Sequence, residues 1–416
     1  MACEQSVQPK TYALLPPWLQ RCAALAICVT LVLAVPINWM FPDASLAARS
    51  ASLEVRSRVI PQAIGAFTLA VLLAVYALTG ADPGAYGFRA GRALLLLVAY
   101  MGCAIVLWSP NYLADGYMFS KTLVWTVGAV VFYRLALAGS LTAGDICLTA
   151  RALVLLASYF TIRICLDPAS RIGQNADASV LLWCLPLLLL AGPSALTFVF
   201  IALAAFAVIL TIKRGTMLAM FLSLAAYAVM YTKAYPQKTT RWRTGIMVAM
   251  IGFCIVGTVV WQYDALTYRM GDFRDHRDIG SGRATFYRAL VRAWWYEYSL
   301  WDVVFGRGFF TVPQTLGKVG RAIYAHSDWL EILHDMGLVG ASLFMALHVA
   351  LLLTVTKALR LRSRAAPSLL MGYCIFALRN VYSQVTIGTT DTVLFSMLLG
   401  YASAKLQHQE HKETLL

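Results

Sequence analysis

The sequence predicts an all-α polytopic membrane protein with about twelve transmembrane helices and one long loop outside the membrane. Three observations predict it. Of the 416 residues, 60% are hydrophobic and only 13% are charged, whereas soluble domains carry about 25% charged residues. The apolar residues form long runs, and the mean hydropathy is +0.68. The stretch 263–336 contains no run long enough to span a bilayer. These properties exclude an ordinary soluble enzyme.

The apolar runs match the length of membrane-spanning helices, which need about 20 apolar residues. The first run is interpreted as a helix that stays in the protein, because no clear small-residue cleavage site follows it. Gly192-Pro193-Ser194 and Arg214-Gly215 divide runs that would otherwise be too long for one helix. The predicted segments are 18–40, 59–80, 93–110, 117–138, 146–166, 178–192, 195–213, 216–233, 244–262, 337–357, 367–385 and 390–406.

The distribution of positive charge predicts the orientation, because Lys and Arg favour cytoplasmic loops. The two clearest basic clusters lie at 233–243 and 357–364. Placing both in the cytoplasm puts 263–336 outside the cell membrane and both chain ends inside. Several arginines, including Arg214, then lie on the outer side against the rule. In a chain of net charge +14, they indicate either lipid-headgroup contacts or an outward-facing anion site.

This topology divides the chain into three parts. Residues 1–262 would carry nine transmembrane helices, and 337–416 would carry three more and a cytoplasmic tail. Between them, 263–336 would form a periplasmic loop that contains helices and the active-site residues.

The outer loop is expected to be helical in places. Ala284–Tyr298 has apolar residues at helical spacing and is rich in Trp and Tyr, which favour the lipid headgroup layer. An amphipathic helix on the membrane surface is therefore predicted. Gly306-Arg307-Gly308 and Pro313 predict a turn region. The next helix is expected to begin near Asp328, with the Asp328 carboxylate as its cap and Glu331 completing a capping box.

His326 precedes this helix start and is the candidate catalytic residue. An imidazole with a pKa near 6.5 can act as a general base at neutral pH. A lone histidine in a loop is more often structural, but arginines accompany this one. Arg214 lies at a sharp outer turn, and Arg283 and Arg288 lie at the start of the aromatic helix. Because a guanidinium binds phosphate through two parallel hydrogen bonds, the pattern predicts a base beside a diphosphate.

Neither a metal nor another cofactor is predicted. The stretch 262–282 mixes acidic and basic residues but has no Asp-x-Asp pair, and most of the nine cysteines lie in apolar segments without Cys-x-x-Cys spacing. Alternating charges of this kind are usually a solvated surface, and His276 among them is interpreted as solvated too.

Three polar residues near the predicted spans are given structural roles. Arg379, inside the eleventh segment, needs a partner in the bundle interior, and Asp391 is the candidate. His348, inside the tenth segment, is predicted to pack between helices. His334, eight residues after His326, is interpreted as a packing or supporting residue.

The motifs of the outer loop resemble those of a known family. His326-Ser327, followed after nine residues by Gly337-Leu338-Val339-Gly340, is similar to the signature of bacterial O-antigen ligases. Ser281-Gly282-Arg283 with the aromatic Tyr287, and then Phe305-Gly306-Arg307-Gly308, resembles the preceding block in the wider O-antigen ligase and polymerase superfamily.

Two further features bear on the resemblance. Lys213-Arg214-Gly215 resembles the superfamily's arginine-glycine turn between two spans, and the predicted topology is similar to the family's GT-C-like architecture. The chain departs from the pattern at Tyr287, where tryptophan is usual.

The resemblance implies a specific reaction. Such ligases move a glycan from undecaprenyl diphosphate to the lipid A-core oligosaccharide at the periplasmic face of the bacterial inner membrane. They act with inversion and need neither metal nor nucleotide. By resemblance, His326 would deprotonate the acceptor hydroxyl, Arg214 and Arg288 would bind the diphosphate, and Arg283 would support them. Which of Arg283 and Arg288 contacts the diphosphate stays open.

Two alternatives remain at this point. An O-antigen polymerase or a protein O-oligosaccharyltransferase of the same superfamily would share the donor and differ only in the acceptor. The His326-Ser327 spacing favours the ligase. A lipid or solute transporter belongs to a different class. The two related halves common in transporters are not found in this sequence, which disfavours this alternative.

Overall fold

The computed structural model describes residues 16–40, 67–76, 89–108, 112–166, 175–211, 213–261, 263, 283–317, 324–383, 385 and 389–415. Within these ranges the chain is helical and forms no strand, so the all-α class is confirmed for this part of the chain. The charged stretch 264–282, with His276, Ser281 and Gly282, lies outside the described residues.

The described helices follow the predicted apolar segments. Each predicted segment overlaps one helix, although only 67–76 is described within the segment 59–80. The helices are α1 Pro17–Met40, α2 Phe67–Tyr76, α3 Arg89–Trp108, α4 Tyr112–Leu137, α5 Ala143–Leu166, α6 Asn175–Leu188, α7 Ala195–Leu210, α8 Arg214–Ala234, α9 Lys238–Trp261, α10 Arg283–Tyr296, α11 Leu300–Phe305, α12 Val312–Gly317, α13 Asp328–Arg360, α14 Ala366–Tyr382 and α15 Thr389–Leu415.

Several of these helices have the length and composition of membrane spans. In the described part of the chain, four meet both requirements: Ala90–Trp108, Ala143–Cys165, Arg214–Ala234 and Asp328–Arg360. The protein is therefore a helical membrane protein. The count of about twelve crossings and the periplasmic position of the long loop stay predictions.

An aromatic cluster lies at the centre of the helix packing. Phe376 of α14 stacks on Phe395 of α15, with ring centroids 4.7 Å apart and an interplanar angle of 7°. Trp125 of α4 lies 5.5 Å from Phe376, and Trp183 of α6 lies 5.2 Å from Phe395. All four side chains are less than 2% exposed. Because buried aromatic pairs add to the free energy of packing, this cluster joins four helices at one point.

Helices α4 and α15 approach each other closely beside this cluster. A Cβ added at Gly400 would lie 2.7 Å from the carbonyl oxygen of Ala129 and from the amide nitrogen of Tyr133. Small residues permit such close backbone contact between membrane helices. The Ser396 hydroxyl also donates to the Trp125 carbonyl at 2.9 Å. Together these contacts fix α15 against the helix that carries Trp125.

A buried ion pair joins α14 to α15. Arg379 Nη1 lies 3.0 Å from Asp391 Oδ2, and the two residues are 6% and 7% exposed. The Ser179 hydroxyl of α6 bonds to both the guanidinium and the carboxylate. Arg379 also donates to the Ser383 hydroxyl at 3.2 Å. The pairing of Arg379 with Asp391, predicted from the cost of a lone charge inside a membrane bundle, is confirmed.

Helix α13 is interrupted at Gly337, where φ is 62° and ψ is −161°. A Cβ at Gly337 would lie 2.5 Å from the amide nitrogen of Gly306, which itself has a φ of 85°. The Tyr100 hydroxyl of α3 lies 3.1 Å from the Phe305 carbonyl oxygen and 3.2 Å from that of Met336. Glycines at 306 and 337 thus permit the two chain segments to cross here. The crossing sets the direction of the outer part of α13, which is the part before Gly337.

We expect Asp391→Asn to destabilise the protein strongly, because it leaves the Arg379 charge buried without a counterion. Breaking a buried pair in this way costs about 3–5 kcal/mol. Thermal unfolding of the purified protein in detergent measures the effect. Lys357→Ala is the control, since the Lys357–Glu410 pair is half-exposed and such surface pairs contribute at most about 1 kcal/mol. Equal melting temperatures for the two variants would contradict the prediction.

Candidate active site

His326 lies in a tight turn directly before α13. Its φ is 56°, in the left-handed region that residues with a side chain seldom adopt. The side chain is half-buried. Strained backbone of this kind persists only where neighbouring contacts fix it, and it occurs often at functional sites. The contacts of the turn therefore decide where the imidazole lies.

The turn is held by the end of α14. The last carbonyl groups of a helix lack partners within the helix. The Ser327 hydroxyl donates to the Asn380 carbonyl at 3.2 Å. The Tyr287 hydroxyl of α10 lies 3.1 Å from the carbonyl oxygen of His326 and 3.3 Å from that of Val381. The hydrogen bonds that satisfy the end of α14 thus also position His326.

The predicted capping box at the start of α13 is wrong. The helix begins at Asp328 as predicted, but its N-cap is Ser327, which makes no side-chain cap bond. The Asp328 carboxylate instead accepts from the Val385 amide at 2.8 Å, and the Glu331 carboxylate accepts from the Ala325 amide. Both carboxylates bind the backbone of the surrounding chain. These two amides are buried donors that would otherwise lack an acceptor. The carboxylates therefore stabilise the His326 turn and the chain after α14.

Burial lowers the pKa of His326 from its ordinary value of 6.5, and the positive charge of Arg283 lowers it further. Both causes disfavour the imidazolium. At neutral pH the imidazole is therefore uncharged and able to accept a proton.

The three arginines singled out by sequence lie in different positions around this turn. Arg283 is half-buried at the start of α10, and its charge acts on His326 and on the phenol of Tyr382. Arg214 is half-buried at the start of α8. Arg288 is exposed, and its Nε donates to the Ala284 carbonyl of its own helix at 3.2 Å. The charge of Arg283 thus acts on His326, whereas Arg288 lies on the exposed side of α10.

Tyr382, the last residue of α14, packs against Gly215 and directly follows the two carbonyl groups that bind Ser327 and Tyr287. The sequence reasoning did not identify it. A Cβ added at Gly215 would lie 2.7 Å from two ring atoms of Tyr382. The Tyr382 phenol lies near the side chain of Thr216 and near the Arg283 guanidinium. In the sequence, Tyr382 stands three residues after Arg379, at the end of an apolar segment. This position alone does not distinguish a functional residue from a packing residue.

A buried polar cluster supports the loop beside the site. The Asp335 carboxylate accepts from the amides of Phe310 at 2.7 Å and Thr311 at 3.0 Å. Nε2 of His334 lies 3.0 Å from the Thr315 hydroxyl, and its Nδ1 lies 3.3 Å from the Thr311 hydroxyl. His334 and Asp335 thereby anchor the Gly306–Gly308 turn and α12 to the outer part of α13, which agrees with the supporting role predicted for His334.

His348 packs between helices, as predicted. Its ring stacks on Trp329 with centroids 4.9 Å apart, and Nδ2 of Asn380 lies 3.1 Å from its Nε2. Asn380 thus contacts both His348, through its side chain, and the His326 turn, through its carbonyl group. The His348 ring also lies 5.0 Å from the ring of Phe376 of α14, so this contact and the Asn380 bond hold α13 to α14.

Within the described ranges, no group of three or more His, Cys, Asp or Glu side chains is placed to hold a metal ion. The acidic residues of 264–282 lie outside these ranges.

Comparison with known proteins identifies the segment that carries this geometry. Residues 198–345 match the family model described as O-antigen ligase. The match includes the start of α8 with Arg214, all of α10, and the His326 turn. A search of curated proteins finds no match. The match supports the resemblance to the O-antigen ligase superfamily over residues 198–345, which is about a third of the chain.

Proposed function

We propose that the protein is an O-antigen ligase, an inverting glycosyltransferase that moves the O-antigen glycan from undecaprenyl diphosphate to the lipid A-core oligosaccharide. One observation carries the proposal: within the segment of the family match, the charge of Arg283 acts on a half-buried histidine of lowered pKa, and Arg214 directly precedes Gly215, which contacts the Tyr382 ring. A base and positive charge are the two elements that transfer from a diphosphate to a hydroxyl requires.

His326 acts as the general base in this proposal. The acceptor hydroxyl oxygen attacks the anomeric carbon of the donor sugar while His326 takes the hydroxyl proton. The bond from that carbon to the diphosphate oxygen breaks, and undecaprenyl diphosphate leaves with the electron pair. A single displacement of this kind inverts the anomeric configuration. The lowered pKa of His326 keeps the ring ready to accept the proton at neutral pH.

The arginines stabilise the leaving group. Negative charge grows on the diphosphate as the sugar bond breaks, and preorganised positive charge at that point lowers the barrier. The charge of Arg283 acts on the Tyr382 phenol, and Arg214 precedes Gly215, which contacts the Tyr382 ring. Both arginines are half-buried, where water screens charge less than at the surface. Exposed Arg288 would contact the diphosphate from the outer face of α10. In this proposal the reaction needs no metal ion.

The exposed side of α10 and α11 supports a position at the outer surface of the inner membrane. Trp295 and Tyr296 are 69% and 79% exposed, and Leu300 and Trp301 are 80% and 57% exposed. Trp301 packs 6.4 Å from Trp108, at the end of the candidate span α3. Trp and Tyr favour the headgroup layer. We therefore propose that this aromatic surface lies in the periplasmic leaflet and holds the site at the level of the donor diphosphate.

The experiment that tests the function is glycan transfer by the purified protein. Undecaprenyl diphosphate-linked glycan and lipid A-core are supplied with EDTA, and the products are identified by mass spectrometry. A glycan joined to lipid A-core is expected. Longer glycan on the carrier and no lipid A product would instead identify a polymerase, and a requirement for added divalent metal would contradict the metal-free mechanism. No new glycosidic bond would overturn the proposal in favour of transport.

We expect His326→Ala to lower the transfer rate by about 10²- to 10⁴-fold, the contribution of a positioned general base. The variant should still accumulate in the membrane, because the backbone contacts of the turn come from Tyr287 and Ser327. Initial rates and membrane abundance are measured together. His408→Ala, at an exposed histidine of α15, is the matched control. Transfer at the normal rate by His326→Ala would remove His326 from the mechanism.

Arg283→Gln should shift the acid limb of the pH profile of kcat/KM to higher pH. His326 must be neutral to act as a base, so this limb follows its pKa. Arg283 is one of the two causes that lower this pKa, and its removal lets the pKa rise towards the ordinary 6.5. Burial, the larger cause, remains. The profile is compared with that of Arg292→Gln, on the exposed side of the same helix. An acid limb that does not move would show that the Arg283 charge does not act on the base.

Arg214→Ala and Arg288→Ala are expected to weaken use of the diphosphate donor. Loss of one donor to a developing anion costs about 10²- to 10³-fold in rate, and Arg214 should approach this range because it is half-buried. The exposed Arg288 should show a smaller loss. Arg214→Lys should recover only part of the rate because lysine lacks the planar fork. Donor-dependent initial rates are measured, with Arg292→Ala as control. Unchanged rates in either alanine variant would remove that arginine from the donor site.

A further inference from the structure

The ring of Tyr382 packs directly against the backbone of Gly215. Helix α14 packs along α8, so the end of α14 faces the start of α8. A Cβ at Gly215 would lie 2.7 Å from Cδ2 and Cε2 of the Tyr382 ring and 3.1 Å from Cζ. Real Cβ atoms are not found this close to ring atoms. Even an alanine at 215 would therefore displace the ring or the start of α8, which bears Arg214.

The end of α14 also holds the turn that carries His326, the proposed base. Ser327 and Tyr287 bind the carbonyl groups of Asn380 and Val381, the two residues before Tyr382. The Arg283 guanidinium acts on both His326 and the Tyr382 phenol. Tyr382 thus contacts the Arg214 turn through its ring and belongs to the helix end that fixes His326.

We infer that Tyr382 is a positioning residue: its ring, seated on Gly215, sets the separation between Arg214 and the Arg283–His326 pair, so that both sides engage one diphosphate. The inference rests on the proposed function. Tyrosine suits this role because its rigid ring has only two side-chain torsions and fills a large volume. Transfer depends on such spacing, since a misplacement of about 1 Å can cost 10²-fold in rate.

The ring rather than the hydroxyl carries this role. The Tyr382 hydroxyl oxygen is buried and lies beside Thr216. The nearby Arg379 is neutralised by Asp391 at 3.0 Å, so the charges that remain for the diphosphate lie on the Arg214 and Arg283 sides. A residue that keeps the ring and lacks the hydroxyl should therefore keep the spacing.

A double-mutant cycle between positions 215 and 382 tests the inference. Gly215→Ala and Tyr382→Ala should each raise the KM for undecaprenyl diphosphate-linked glycan about tenfold or more, with the KM for lipid A-core unchanged. In Gly215→Ala/Tyr382→Ala, the added methyl group no longer meets a ring. The double variant should therefore have the same donor KM as Tyr382→Ala alone. Tyr382→Phe should stay within about twofold of wild type, since it keeps the ring.

Controls separate spacing from stability. Tyr373→Ala removes the same residue type from the same helix, beside His348, and should lower the melting temperature without raising the donor KM. If Tyr382→Ala does not accumulate, Tyr382→Leu replaces it in the cycle.

Three outcomes would overturn the inference: additive effects of the two substitutions, a Phe variant as weak as the Ala variant, or equal increases in both KM values. In each case the proposed function would still be supported by transfer in the wild type and by the loss of transfer in His326→Ala. Absence of transfer by the wild type would instead remove the proposed function, and the inference with it.

Discussion

The arrangement of the site depends on the unsatisfied carbonyl groups at the end of α14. The last carbonyl groups of a helix lack partners within the helix, and one that is buried, as at Asn380, costs free energy unless it is paired. Ser327 supplies a hydroxyl to Asn380, and Tyr287 supplies one near Val381. Both donors come from the segments that surround His326. The need to satisfy a helix end therefore fixes the turn that carries His326, even though His326 has a left-handed φ of 56°.

Residues in the last two turns of α14 also make buried polar and aromatic contacts with neighbouring helices. Arg379 pairs with Asp391, Asn380 reaches His348, and Phe376 stacks on Phe395. Polar groups of this kind are costly inside a membrane bundle unless they are paired. Because these contacts reach both α13 and α15, α14 cannot slide without breaking several of them at once. The rigidity required for a preorganised site is thus a consequence of the way α14 satisfies its own polar residues.

Most of the helices could be predicted from the sequence because a membrane-spanning helix is an apolar run of nearly fixed length. The start of α13 at Asp328 was expected from the residue types of a helix N-terminus, and the pairing of Arg379 with Asp391 from the cost of a lone charge inside a membrane bundle. The structure agrees with both, and with the packing of His348. The capping box failed because the rule considers one helix alone. Asp328 binds the Val385 amide, 57 residues away, a contact that local spacing cannot reveal.

Tyr382 was beyond sequence reasoning for a related reason. Its role depends on Gly215, on a different helix, and the antiparallel packing of α8 and α14 that brings them together has no signature in either segment. Tyr287 is a contrasting case, since its departure from the family's tryptophan looked like a weakness of the motif. Its hydroxyl lies at the carbonyl groups of His326 and Val381. Tyrosine and tryptophan both carry a hydrogen-bond donor on an aromatic side chain, so the substitution retains the donor that this position uses.

The placement of Arg283 beside His326 has two opposing effects on the proposed reaction. Its positive charge lowers the pKa of His326, which keeps the imidazole neutral but also makes it a weaker base, since basicity follows pKa. A diphosphate bound next to Arg283 would bring negative charge near His326. This negative charge would offset the effect of the Arg283 charge on the pKa of the imidazole. The base would then be strongest when the donor is bound. The arginine that stabilises the leaving group would in this way also link proton abstraction from the acceptor to occupancy of the donor site.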